Sequence, residues 1–423
     1  MRMLPPHAAS RDRQRGAATL ISAVVILILM SMIAFFANRT VLFERKTAAN
    51  QYRSSKAIEA AEAGIEWAQA NLNSMRRINA ACATSAVNTD TSFRDRYMDP
   101  DTNGSYAEPF SAATPICTFT GGAWSCSCPA PAAAPAVAAC TSPQGCPTFR
   151  LGFQQVAGDA TMVRVTAVGC TNSQRPCVPG ATADADGTAT VVQTMKILSG
   201  LATLPGAAIT AKGYVDFGAN AITATNTDPG TNGVTINAGS NITGFINTST
   251  IQTLPGTPVG ASLIPNDTSL SSLSDDQMFK TYFGVTKDEF RNASTTTVVN
   301  CNGVCNTPIL DAIAAGARSI WVEGDMTLNA NNVFGSATRP IMLVTNGNIE
   351  VRGTMIIYGV VYCQNSTWDN TGGGNAQIIG AAISEGNFTA TGTPDPTYDP
   401  AVLRRLRETT GDFAKLPGGW RDF

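Results

Sequence analysis

Eleven cysteines and one D-x-D-x-N-G run carry most of the chemistry that this 423-residue chain could perform. The cysteines are Cys82, Cys117, Cys126, Cys128, Cys140, Cys146, Cys170, Cys177, Cys301, Cys305 and Cys363. Their C-x-C and C-x-x-x-C spacings do not make the paired C-x-x-C arrangement of a structural zinc site. A density of this kind instead points to an oxidising compartment and a disulfide framework. Cys170 and Cys177 bracket the turn-prone TNSQRP, and Cys301 and Cys305 bracket NGV, so each pair is a local disulfide candidate. Connectivity among the others stays open. The odd count leaves one thiol over, and Cys363, at the end of the apolar run GVVYC, is the expected buried free cysteine.

Asp99, Asp101 and Asn103, followed by Gly104, resemble the opening half of an oxygen cage for calcium. The bidentate glutamate expected at position twelve is missing: Phe110 stands there, and Glu108 falls two residues early. Asp, Asn and Gly also build ordinary turns, a reading that Pro100 supports. Calcium is the one cofactor kept as an expectation. The single histidine, His7, lies ahead of the first long apolar run, so nothing beyond it can complete a Ser-His-Asp or Cys-His arrangement. No GxxxxGK[ST] phosphate loop is present. Asp184 and Asp186 read as turn residues, while Asp275 and Asp276 read as the acidic start of a helix. The expectation is a protein that is not an enzyme.

The elements that would position these residues begin with a basic leader, residues 1–16, containing Arg2, Arg11, Arg13 and Arg15. An uncharged run from Ala17 to Phe36 follows, with Leu20, Ile21, Val24 and Ile28 among its apolar residues. About 20 such residues at 1.5 Å each span a bilayer core. The positive flank stays cytoplasmic and sends the remainder outward. A cleaved secretory signal would have a shorter apolar core and a small-residue cleavage site. Proline is absent from Ala37 to Met75, and Ile58, Ala61, Ile65, Ala68 and Leu72 form one stripe at helical spacing. Span and stripe can join in one helix from Ala17 to Leu72, about 84 Å long.

The segment RQRGAATLISAVVILILM, followed by FERKTAANQYRSSKAIEAAEAGIEWA, resembles the N-terminal region of PilX-type minor pilins of type IV pili. The resemblance implies cleavage by a prepilin peptidase after Gly16, N-methylation of Ala17, and packing of the helix into a filament core. It also implies an inner-membrane anchor before assembly, an extracellular pilus afterwards, and partners among other minor pilins, the major pilin and a PilY-type tip adhesin. Major pilins carry glutamate at the fifth mature position, where this chain has Ile21. A carboxylate in hydrocarbon is costly unless it meets a cation, so a subunit without it suits the filament tip. The alternative is that this family dispenses with the glutamate anywhere along the shaft. A type II secretion pseudopilus tip subunit would share the feature.

The expected fold class is α+β, with domains at 1–16 (leader), 17–75 (helix), 76–200 (head) and 201–423 (appended β-rich domain). In the head, PTFRLGFQQVA, ATMVRVTAVG and GTATVVQTMKIL read as antiparallel strands on which the helix would pack. Beyond residue 200, short apolar runs alternate with Gly, Asn and Thr. They suggest a β-solenoid, with a β-sandwich as the alternative. A helical insert is expected over about 267–318, from capping boxes at Ser274/Gln277 and Thr286/Glu289 and from TPILDAIAAGAR. A short helix at 401–409 carries Arg404, Arg405 and Arg407.

Removing the leader takes away four arginines and one aspartate, leaving 25 basic and 30 acidic residues. That balance argues against a nucleic-acid partner. Three functional readings follow: a minor pilin that primes assembly, an appended domain that is itself an adhesin with Trp321, Tyr362 and Trp368 as candidate surface aromatics (core packing being the favoured role for such residues), and a tethered polysaccharide-processing enzyme. The third needs clustered carboxylates, and Glu323, Asp325, Glu350, Asp369 and Glu385 are widely spaced in sequence. Replacing Gly16 by Ala should leave the leader attached, visible as a heavier band on a gel. Normal maturation of that variant would remove the leader assignment.

Overall fold

In the computed structural model the described residues are 15–423, apart from 88, 99–113, 131–132, 141, 143–144, 199, 220–221, 247–248, 369–375 and 393. Helix α1 (Arg15–Leu72) runs unbroken for 58 residues. Its last four turns pack on a sheet through Ala57, Ala61, Ile65, Ala68 and Leu72, all buried, while Ile58 is only partly covered. The sheet contains β1 (Ile116–Thr120), β2 (Ala123–Ser127), β3 (Thr148–Val156), β4 (Asp159–Cys170) and β5 (Thr188–Leu198). Small residues set the close approach. A Cβ on Gly169 of β4 would lie 2.1 Å from the carbonyl oxygen of Ala57. Phe149, Leu151, Phe153, Val163, Val165 and Val191 fill the layer between helix and sheet.

All pairings in this head sheet are antiparallel, in the order β2-β1-β3-β4-β5. A sixth strand, Asp412–Asp422, pairs with β5 and completes the sheet from the far end of the sequence. The expected division at 201–423 therefore fails at its C-terminal side: the β-rich domain is an insert between two neighbouring strands of the head. Its two connections run side by side, and a Cβ on Gly200 would meet the Thr410 carbonyl oxygen at 2.7 Å. Asn73, in the turn that ends α1, clamps the returning strand. Phe413 N–H donates to Asn73 Oδ1 at 2.7 Å, and Asn73 Nδ2 donates to Phe413 O at 3.0 Å.

The insert is a stack of parallel strands rather than an antiparallel sandwich. Strands at Thr296–Asn300, Ser319–Glu323, Ile341–Thr345, Ile356–Cys363 and Gln377–Ser384 pair in that order. The stack does not continue in sequence from there. Ala382 pairs with Ile209, whose strand, Ile209–Ala211, then pairs with Ile236–Ala238, and that one with Leu263–Ile264. The residues following Gly200 thus form the far layers, and the residues following 295 form the near ones. Helices Thr268–Ser271, Asp275–Phe283 and Lys287–Arg291 carry the chain back outside the stack. Their Phe279, Phe283 and Phe290 pack on Trp321 and Tyr362 of the sheet they cross.

The expected insert at 267–318 is therefore only partly helical. It contains the strands Thr296–Asn300 and Gly303–Val304 as the first coil, then helix Asn306–Ala314. Ile309 and Ala312 of that helix plug the near end of the stack interior. Gly359 and Gly380 turn the two longest strands round a corner at φ of +130° and +142°. A Cβ on Gly380 would stand 1.9 Å from the Gly359 carbonyl oxygen. Gly380→Ala is expected to lower unfolding stability by about 3 kcal/mol, combining backbone strain with displacement of the layer below. Denaturant titration of the purified protein measures it.

Candidate functional site

Two regions of the structure stand out: the bare half of α1 and the seam between head and insert. Every described side chain from Thr19 to Ser55 is exposed. Leu20, Ile21, Val24 and Ile28 are each about half exposed or more, with Ile21 at 64%. The segment is long and apolar enough to cross a membrane by length and composition. Several of its hydroxyls turn back onto the helix: Ser31 Oγ donates to the Leu27 carbonyl at 2.7 Å, and Thr40 and Thr47 donate to carbonyls four residues earlier. Gly16 and Ala17 lie in the first helical turn, and the leader before Arg15 is outside the described residues.

At the seam, Asp95 on helix Phe93–Met98 of the head accepts from Arg318 Nη2 at 2.6 Å and Arg339 Nη2 at 2.8 Å, both from the insert. The Asp95 and Arg318 side chains are 12% and 8% exposed, so this pair is largely shielded from solvent. Neighbouring Arg94 donates to the Gly411 carbonyl at 2.8 Å and lies 4.5 Å over the Phe413 ring. The insert therefore meets the head just past the C-terminal end of α1. Gly316 also contacts this region, since a Cβ there would stand 2.5 Å from the Met75 carbonyl. Nothing in the local pattern around Asp95 reveals this role, because its partners lie more than 200 residues away.

The structure places the other candidate residues as follows. Cys170–Cys177 and Cys301–Cys305 are disulfides, beside Cys82–Cys128, Cys117–Cys126 and Cys140–Cys146. Cys363 is free and buried, and burial pushes its thiol up to about 12. Asp99, Asp101 and Asn103 lie outside the described residues. Among the described residues no three His, Cys, Asp or Glu side chains group to hold a metal ion. Trp321, Tyr362 and Trp368 take the favoured core role, at 3%, 1% and 3% exposure, and offer no surface for an adhesin.

The carboxylates on the insert have structural partners. Glu323 binds Arg291, and hydrogen bonds from Arg291 hold its carboxyl below the usual range. Asp325 accepts from Asn348, Glu350 from Arg352, and buried Glu385 from Tyr362 and Lys287. Asp369 is outside the described residues. Replacing Asp95 by Ala should destabilise the protein by about 3 kcal/mol, because the charge shared by two insert arginines is lost. Thermal unfolding of the variant tests this, with separate head and insert transitions as a further sign.

A model of the PilX N-terminal family matches residues 15–66. No curated protein matches the chain. Among solved structures, the competence-associated pilin ComZ from Thermus thermophilus aligns with 88% of this chain and 97% of its own, at 13% identity and a TM-score of 0.23. Residues 15–66, the first 52 of helix α1, are thus similar to the N-terminal region of the PilX family.

Proposed function

We propose that this protein is a minor pilin of a type IV pilus that sits at the filament tip and primes assembly with other minor pilins. The observation that carries the reading is the position of the insert. It docks against Met75 and Asp95, past the end of α1 farthest from the membrane-spanning residues. Subunits added at the membrane push earlier ones outward, so a bulky domain in that position obstructs a subunit above and leaves those below free. Ile21 supports the same placement. At the fifth position after Gly16 it offers no carboxylate to a terminal amine ahead of it.

A second reading, in which the insert is itself the adhesin, draws on its uncovered face. Thr327, Glu350, Thr367, Thr389, Asp216 and Thr243 align there in one outward row on successive parallel strands. Immunogold labelling of sheared pili should place the protein at filament ends, and deletion should reduce pilus number severalfold. Labelling spread along the shaft would overturn the tip assignment. Normal pilus numbers with poor adherence would favour the adhesin.

A further inference from the structure

The returning strand, Asp412–Asp422, is the last in the order of the head sheet: it pairs with β5 on one side only. An edge strand presents unpaired backbone groups, and folded proteins blunt such edges with proline, bulges or covering segments. The first half of this strand is blunted in that way. Asn73 clamps Phe413, and the pairing shifts register between Lys415 and Trp420, where Pro417 stands. The second half is open. Phe423 and Thr190 exchange both backbone hydrogen bonds, at 2.9 and 3.2 Å, so by antiparallel alternation Arg421 and Val192 form the next pair of this kind. The N–H and C=O of Trp420 and Asp422 therefore point away from β5, and no described residue bonds to them.

Register sets Trp420 beside Gln193 and Asp422 beside Val191, on the face that carries α1. There Trp420, 47% exposed, lines a groove of about 410 Å³ with Glu59, Glu62, Glu66, Gln193 and Lys415. Lys415 pairs with Glu66. Glu59 and Glu62 are exposed and meet no cation among the described residues. Asp422, exposed on the same face, adds to the negative field. An indole ring beside unpaired carboxylates suits a cation that can stack on the ring and pair with the acids.

We infer that residues 420–422 are a strand-addition edge for an extended segment of another polypeptide, one that carries lysine or arginine on the side facing α1. Its backbone bonds to Trp420 and Asp422, and its basic side chain enters the groove. A second copy of this chain does not fit. Twofold antiparallel pairing of two such edges sets Asp422 of each copy against the carboxylates of the other, an acid where a cation is required. The edge belongs to the head sheet alone, so the inference does not depend on the chain entering a filament.

The test uses the full-length protein in detergent and two fluorescent eight-residue peptides, one alternating lysine with threonine and one alternating glutamate with threonine. Fluorescence anisotropy should show binding of the lysine peptide alone. Asp422→Pro removes one outward N–H and spares the ladder to β5, since proline is tolerated where the N–H faces solvent. It should weaken binding about tenfold. Replacing Glu59 and Glu62 together by Gln should weaken it about fivefold. A lysine peptide methylated at the backbone nitrogens of its lysines keeps its charge but cannot bond to the edge. It should bind about tenfold more weakly, a result that does not depend on any variant folding. Failure of the lysine peptide to bind, or equal binding of both peptides, would overturn the inference. So would unchanged affinity of the methylated peptide, which would make the contact one of charge alone.

Discussion

Pairing of Leu198 with Asp412 governs the architecture of the insert. A domain placed between two hydrogen-bonded strands must begin and end within about 5 Å. A parallel stack does the opposite, since each layer adds about 4.8 Å and eight layers separate the ends by about 34 Å. The chain meets both demands by building the far layers first, returning outside through three short helices, and then building the near layers outward until Ala382 meets Ile209. The returning helices also cover the sheet face carrying Trp321 and Tyr362, which would otherwise present apolar surface to water.

Much of the head and the helices of the insert were legible because their determinants are local or strongly periodic. The apolar run, the Ala61–Leu72 stripe and the capping boxes at Ser274 and Thr286 all rest on residues within a few positions of one another, and both boxes form as hydrogen bonds. Both cysteine pairs chosen for their short spacing also lie in short loops. The disulfide Cys82–Cys128 was not legible: it closes a loop of 46 residues, worth about 4 kcal/mol on a chain-entropy estimate, and no sequence pattern marks its ends. The returning strand hid for a related reason. LPGG interrupts it with turn residues at an irregularity in the pairing, and its partner is more than 200 residues away.

Parallel stacking was legible in texture but not in register. Successive layers are offset by 23 residues at Thr296–Ser319, by 18 at Ile341–Gly359 and by 27 at Ile209–Ile236. Such variation defeats a search for a fixed period, although the physical unit repeats. Asparagines at one corner carry the regularity instead. Asn365 Nδ2 donates to Asn348 Oδ1 at 2.9 Å, and Asn387 N–H donates to Asn365 Oδ1 at 2.9 Å. Each layer thereby satisfies a polar group of the next where the backbone turns and the strand ladder is interrupted.

The side-by-side connections at Gly200 and Gly411 have an evolutionary reading. Because both chain crossings leave the head at one point, the insert can be gained, lost or exchanged without breaking the hydrogen bonds that hold β5 to its neighbour. A two-residue hairpin between those strands would restore a small head carrying the same helix. The helix and head can then stay constant as one unit while the inserted domain varies in size and surface.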